Sequence, residues 1–194
     1  RLHKNRDIKV LVVDDSMATR AQIKSLLQHQ MFKVLVAAHG EEALAFLEDN
    51  PDIKLVLTDY QMPVIDGVEL TKEIRKRYSK NELSIIAMTA TNTELISAKF
   101  LKIGANDFIN KPFTKEEIAC RIHNSLDALE HISKITYMAQ HDFLTGAYNR
   151  RYFFEAMDAY KKTLQEKEEP FALGLIDIDD FKAINDNLGH SVGD

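Results

Sequence analysis

Short apolar runs alternate with amphipathic segments over roughly the first 110 residues. The runs cover residues 8–13, 33–37, 54–58, 83–88 and 107–109, and each is apolar almost throughout, as expected for strands buried on both faces. Segments with helical periodicity lie between them, near residues 17–29, 41–48, 68–76 and 94–102. This alternation predicts an α/β fold, a doubly wound five-stranded parallel sheet with helices on both faces.

A long helix is predicted after Pro112, because neither Gly nor Pro occurs again before Gly146. Thr114 and Glu117 have the spacing of a capping box, which favours a helix start there. Apolar residues then recur three or four positions apart. The helix should cover residues 114–141, pack first on the sheet and continue outward, either as a dimer seam or as a solvated linker.

The last third of the sequence begins a second α/β unit. A turn is predicted at residues 144–147, a helix capped by Asn149 should run to about Glu166, and an apolar strand should follow from Phe171 to Ile176. We therefore expect a first domain over residues 7–130, a linker helix over 114–141, and an incomplete second domain over 142–194.

Composition narrows the class of protein. The 194 residues are 45% hydrophobic, and no apolar stretch approaches the length of a membrane span. A net charge of -5 argues against a nucleic-acid surface. The single cysteine, Cys120, suits a reducing cytoplasm, and Arg1 in place of an initiator Met suggests a fragment of a longer chain. These features predict a cytoplasmic protein with no membrane or nucleic-acid partner.

Acidic residues follow two of the predicted strands. Asp14 and Asp15 come after the first strand, and Asp59 comes after the third. Parallel strands end at the same edge of a sheet, which is where open α/β sheets bind ligands, so three carboxylates should meet there. They repel one another without a cation, and an oxygen-only set favours Mg²⁺. Thr89 and Lys111, at two further strand ends, would add the hydroxyl and the cation that phosphoryl chemistry on a carboxylate requires.

The spacing of these residues resembles the receiver domain of two-component response regulators, which has a flavodoxin-like fold. The matching positions are Asp14-Asp15, Asp59, Met62-Pro63, Asp66-Gly67, Thr89-Ala90, Phe108 and Lys111-Pro112. The resemblance implies that Asp59 accepts a phosphoryl group from a sensor histidine kinase or a phosphotransfer protein. It implies that Thr89 and Lys111 contact the phosphoryl oxygens and that Phe108 is a switch residue. The implied Mg²⁺ ligands are Asp14, Asp15, Asp59 and the backbone carbonyl of Gln61.

A second motif lies near the end of the sequence and resembles the start of a GGDEF domain, the diguanylate cyclase family. It comprises Asp142, Leu144-Thr145-Gly146, Asn149-Arg150-Arg151-Tyr152-Phe153, Asp177-Ile178-Asp179-Asp180-Phe181-Lys182, Asn185-Asp186, Gly189-His190 and Gly193-Asp194. The resemblance implies that Asp177 ligates a catalytic metal. It also implies a GTP-binding set of Asp180, Phe181, Lys182, Asn185 and Asp194. The Gly-Gly-Asp/Glu-Glu-Phe signature of the family would follow Asp194.

Together the two resemblances predict a response regulator in which phosphorylation of Asp59 controls a diguanylate cyclase that joins two GTP into cyclic di-GMP. Because two GTP-loaded cyclase domains must face each other, we expect a homodimer on phosphorylation. The 194 residues alone should be inactive as a cyclase, because they lack the signature. The alternative is a non-enzymatic adaptor with a degenerate GGDEF domain, whose receiver acts as a phosphorylation-dependent interaction module.

Overall fold

The computed structural model describes residues 5–90, 94–167 and 172–193. The chain divides into two compact units, Arg1–Ser133 and Lys134–Asp194. None of the described helices has the length and apolarity that crossing a bilayer would require.

The first unit contains the predicted five-stranded parallel sheet. Its strands are β1 (Lys9–Val13), β2 (Lys33–Ala37), β3 (Ile53–Asp59), β4 (Ser84–Thr89) and β5 (Asp107–Asn110). Their order across the sheet is β2-β1-β3-β4-β5, and every neighbouring pair is parallel. The chain thus builds outward from β1 to β2 and then crosses to the other side of β1. The ends of β1 and β3 therefore lie side by side where the winding reverses.

Helices follow the strands as the periodicity predicted. They are α1 (Met17–His29), α2 (Gly40–Asp49), α3 (Gly67–Arg75), α4 (Glu94–Ile103) and α5 (Lys115–Gln140). Side chains cap several of them: Ser16 accepts from the backbone N–H of Thr19, and Asp66 accepts from that of Glu69. Gly104 ends α4 with a φ of 118°, a left-handed conformation that glycine adopts without steric cost.

Alternate strand residues face two separate apolar cores, which is why the strands read as continuous apolar runs. On one face, Leu11 and Val13 pack with residues of α2, α3 and α4, such as Leu47, Leu70 and Phe100. On the other face, the residues between them in the strands pack with α1 and α5. This second core includes Val10, Val12, Leu57, Ile86, Met88, Ile23, Leu27, Ile118 and Ile122.

In the second unit, Asn149 joins the end of α5 to α6 (Arg150–Lys167). Its side-chain amide donates to Ala139 O at 2.8 Å, its backbone N–H donates to Gln140 O at 2.8 Å, and its Oδ1 accepts from Tyr152 N at 3.0 Å. One side chain therefore caps the end of one helix and the start of the next. This confirms Asn149 as the predicted cap.

The predicted strand at 171–176 differs from the structure. Phe171 lies outside the described residues, and residues 172–178 have no regular secondary structure. Leu175 and Ile176 are 99% and 92% exposed. A strand needs a neighbour to pair its backbone N–H and C=O groups, and the described part of this unit offers residues 172–178 none. Two short helices, α7 (Phe181–Leu188) and α8 (His190–Gly193), follow.

Candidate functional site

Three carboxylates meet at the carboxyl edge of the sheet. Asp14 and Asp15 directly follow β1, and Asp59 is the last residue of β3. Because β1 and β3 are neighbours, one carboxylate oxygen from each of the three residues lies within 4.8 Å of the others. The juxtaposition expected from the sequence is therefore present.

Lys111 brings a positive charge into this cluster. Its Nζ lies 2.7 Å from Asp14 Oδ2 and 2.7 Å from Asp59 Oδ1. The residue follows β5, and its backbone N–H donates to Thr89 O at 2.7 Å, which ties it to the end of β4. One ammonium group thus bridges the carboxylates that follow β1 and end β3.

Burial destabilises the charged forms of the side chains in this cluster. The Asp14 side chain has no exposed surface, and that of Asp59 is 10% exposed. Burial raises the pKa of Asp59 above its ordinary value, although the hydrogen bond from Lys111 acts in the opposite direction. Burial lowers the pKa of Lys111, but its hydrogen bonds to both carboxylates outweigh this and leave that pKa raised. Lys111 therefore stays protonated, while burial destabilises the ionised form of Asp59.

The donor set fits Mg²⁺. It consists only of carboxylate oxygens on three converging side chains, the ligand type that this hard cation prefers. A single ammonium leaves three carboxylates undercompensated, so a divalent cation would reduce their mutual repulsion. Asp15 is the exposed member of the cluster, which gives an ion access from solvent.

Gln61 lies beside this cluster in the loop after β3. A surface depression of about 420 Å³ is lined by Asp15, Tyr60, Gln61, Met62, Pro63 and Asp66. The loop is held close to the strand end, since Gly67 N donates to Tyr60 O at 3.0 Å. A Cβ on Gly67 would lie 2.2 Å from Asp59 O, so only glycine permits this approach.

Thr89 and Phe108 occupy the strands beyond Asp59. Thr89 ends β4 and is completely buried. Phe108 lies in β5, pairs in register with Ala87, and is a half-buried residue packed against the core between the sheet and α2, α3 and α4. The roles that the resemblance implies for them, phosphoryl contact for Thr89 and switch for Phe108, stay predictions.

Arg20 in α1 was not anticipated from the sequence. Its Nη1 donates to Asp14 O at 2.6 Å and to Asp15 O at 3.0 Å, so it holds the backbone of both acidic residues. Every residue has a backbone carbonyl oxygen, so a contact to one cannot be recognised from the types of residue in the sequence. The only available signal was an arginine one helical turn after the predicted start of α1.

The residues predicted to bind GTP lie in the second unit. Asp177 is exposed in the irregular segment, and Asp180 precedes α7 with a left-handed φ of 55°. Phe181 and Lys182 open α7. Asn185 is half-buried, and its Oδ1 accepts no hydrogen bond within the described residues. Asp194 lies outside them. The described residues therefore place Asp177, Asp180, Phe181 and Lys182 around the start of one short helix.

Two protein families match this chain. The response regulator receiver domain matches residues 10–123, which is more than half of the chain, and the diguanylate cyclase GGDEF domain matches residues 139–194.

Individual relatives agree with both matches. The response regulator PleD of Caulobacter vibrioides is 28% identical over 96% of this chain. A crystallised two-component response regulator/GGDEF domain protein is 49% identical, covers 67% of this chain and superposes with a TM-score of 0.65. This chain spans 42% of PleD and 53% of that crystallised protein.

A solved complex of CheX, CheY, BeF3 and Mg²⁺ from Borrelia burgdorferi contains a chain 29% identical to this one, with a TM-score of 0.58. That likeness covers 61% of this chain and 89% of the other. The fold, the acidic edge of the sheet and the family matches lead to one conclusion: the chain belongs to the response regulators and carries a receiver domain followed by a GGDEF region.

Proposed function

We propose that this protein is a phosphorylation-controlled response regulator in which Asp59 is the phosphoacceptor and the receiver regulates a diguanylate cyclase. One observation carries the first half of the proposal: Lys111 Nζ bridges Asp14 and Asp59 at 2.7 Å on each side. A nucleophilic carboxylate, a cation and two further acidic residues are then assembled in one place. The match of residues 139–194 to the GGDEF domain carries the second half.

The residues of the site divide the chemistry among them. An oxygen of Asp59 forms a bond to the phosphorus of the donor while the bond from phosphorus to the donor's nitrogen or oxygen breaks, and the electron pair leaves with the donor atom. Mg²⁺, held by Asp14, Asp15, Asp59 and the backbone carbonyl of Gln61, would supply charge neutralisation for the transferred group. Lys111 would leave its ion pair with Asp59 to contact a phosphoryl oxygen.

Thr89 and Phe108 would report the event to the rest of the domain. A phosphoryl group on Asp59 offers new acceptor oxygens, and a hydroxyl from the neighbouring strand β4 is suited to donate to one of them. Phe108 lies on β5, the strand next to β4. A movement of Thr89 at the end of β4 would therefore allow the half-buried ring of Phe108 to turn inward. This sequence of movements is the proposed switch.

The phosphodonor is proposed to be a sensor histidine kinase or a phosphotransfer protein. The Borrelia burgdorferi complex that contains a related chain was crystallised with BeF3 and Mg²⁺. The exposed carboxylate of Asp15 and the open depression around Gln61 leave this edge of the receiver accessible to such a donor.

In the GGDEF region, Asp177 is the proposed metal ligand, and the proposed GTP contacts are Asp180, Phe181, Lys182, Asn185 and Asp194. Two such domains, each holding one GTP, would meet in a homodimer formed on phosphorylation, because the 3′-hydroxyl of one GTP must reach the α-phosphate of the other. Residues 1–194 contain no Gly-Gly-Asp/Glu-Glu-Phe sequence. We therefore expect them to make no cyclic di-GMP by themselves.

The test uses a protein that carries this receiver with a complete GGDEF domain. With GTP, Mg²⁺ and a small phosphodonor it should make cyclic di-GMP, and Asp177→Ala should lower the rate about a thousandfold or more, because a lost metal ligand removes several kcal/mol of charge stabilisation. Asp59→Asn should remove the stimulation by phosphodonor and leave the basal rate. A protein that becomes phosphorylated and dimerises but makes no cyclic di-GMP would instead be an adaptor.

A further inference from the structure

Arg20 contacts Asp14 and Asp15, the two acidic residues that follow β1, although it belongs to a helix and not to the edge of the sheet. It lies in the first turn of α1, where its backbone N–H donates to Ser16 O at 3.0 Å. Its guanidinium folds back over the β1–α1 turn and donates through the single atom Nη1 to Asp14 O at 2.6 Å and Asp15 O at 3.0 Å. These are short charge-assisted contacts.

The contacts of Arg20 complete the fixation of the β1–α1 turn. Asp14 N donates to Ala37 O at 3.2 Å, and Asp14 Oδ1 accepts from Ser16 N at 2.9 Å. The N–H and the carboxylate of Asp14 are therefore anchored by other residues, and Arg20 anchors its carbonyl. The Asp15 side chain is exposed, and Arg20 adds a hydrogen bond to the backbone carbonyl of the same residue.

We propose that Arg20 is a positioning residue for the metal-binding carboxylates: by holding the carbonyls of Asp14 and Asp15, it keeps both side chains converged on Asp59 and so sets the affinity for Mg²⁺. This inference rests on the proposed function, which places Mg²⁺ in the cluster. Groups that orient metal ligands commonly change metal affinity by an order of magnitude or more.

The direction in which Mg²⁺ affinity changes when Arg20 is removed distinguishes a positioning role from a purely electrostatic one. A cation beside a cation site repels the incoming ion, so deleting Arg20 would tighten Mg²⁺ binding if charge were its only influence. Deleting a residue that orients the ligands loosens binding. Deleting a residue that only supports the fold lowers the melting temperature equally with and without Mg²⁺ and leaves affinity unchanged.

Isothermal titration of the 194-residue chain with MgCl₂ tests the proposal. Arg20→Ala should weaken Mg²⁺ binding about tenfold. Arg20→Lys should recover most of that loss, because one nitrogen makes both contacts and an ammonium can replace it. Lys24→Ala is the matched control, since it removes a half-buried cation one turn further along the same helix, and it should bind Mg²⁺ like the wild type.

Unchanged or tighter Mg²⁺ binding by a folded Arg20→Ala would overturn the proposal. If that variant is too unstable to titrate, Arg20→Gln serves in its place with the same prediction and the same contradicting result. The failure of the proposed function is separate: it would appear as wild-type protein whose Mg²⁺ binding is absent or survives Asp14→Ala.

Discussion

At the scale of single residues, one cluster concentrates charge where burial makes it expensive. Asp14, Asp59 and Lys111 form a network in which the ammonium serves two buried carboxylates at 2.7 Å each. Breaking such a network from one side leaves an uncompensated charge, whereas neutralising an excess carboxylate relieves repulsion. The clustered carboxylates therefore lower the stability of the metal-free protein, but they form a site that attracts a cation and a phosphoryl group.

The first prediction concerns the stability of Asp59→Asn without Mg²⁺. Because burial raises the pKa of Asp59, the folded chain binds that proton more tightly than the unfolded chain. The stability that protonated Asp59 contributes is fully present at a pH below the pKa of Asp59 in the unfolded chain. It is lost as the pH rises through the pKa of Asp59 in the folded chain. Asp59→Asn escapes this loss and retains the Lys111–Asp14 pair, so its melting temperature at neutral pH should exceed that of the wild type by a few degrees.

Thermal denaturation in EDTA across a pH series measures this difference. The advantage of Asp59→Asn should shrink as the pH falls below the raised pKa of Asp59. Asp52→Asn is a control, because Asp52 is an exposed carboxylate paired with Lys9 just before β3 begins, whereas Asp59 ends that strand. It should show no such gain. An Asp59→Asn protein less stable than wild type at neutral pH would show that the Lys111–Asp59 pair is net stabilising.

At the scale of helices and strands, periodicity located nearly every element of the first unit. The five strands begin and end within about one residue of their predicted limits, because runs buried on both faces are read directly as apolar sequence. The same reasoning was wrong for residues 172–176, since apolar side chains do not make a strand unless a partner strand pairs with the backbone. Arg20 also escaped, because its role depends on carbonyl oxygens that every residue type provides.

A second prediction concerns the junction of α5 and α6. Asn149→Ala removes the side-chain bonds to Ala139 O and from Tyr152 N, a capping loss of about 1 kcal/mol. Local opening at the start of α6 should then be about fivefold more frequent, which amide hydrogen exchange at Tyr152 can measure. The exposed Asn187→Ala in α7 is the control and should leave that exchange rate unchanged. Equal exchange in wild type and Asn149→Ala would refute the capping role.

At the scale of the whole chain, the two units differ in what holds them together. The unit Arg1–Ser133 has two apolar cores, one on each face of the sheet. Among the described residues of Lys134–Asp194, Leu164 is the only buried apolar side chain, and Leu173, Leu175 and Ile176 are exposed. A cooperative transition needs a core, so we expect one from the first unit and gradual helix loss from the second.

The third prediction uses Mg²⁺ to identify the cooperative transition. An ion that binds the folded cluster and not the unfolded chain stabilises by mass action, by about 2.7 kcal/mol at one hundred times its Kd. Calorimetry should show the cooperative transition moving upward with millimolar Mg²⁺ while the gradual helix loss does not change. Asp14→Ala should abolish the shift. A shift of equal size in wild type and Asp14→Ala would place the ion elsewhere.

The most direct test of the account is the mass of the 194-residue chain after incubation with Mg²⁺ and a small phosphodonor such as acetyl phosphate. Wild-type protein should gain the mass of one phosphoryl group, stable in acid and labile in base, on the peptide that contains Asp59. Asp59→Asn should gain none, and omission of Mg²⁺ should suppress the reaction in the wild type. An Asp59→Asn chain that still acquired one acid-stable, base-labile phosphoryl group would contradict the assignment of Asp59 as the phosphoacceptor.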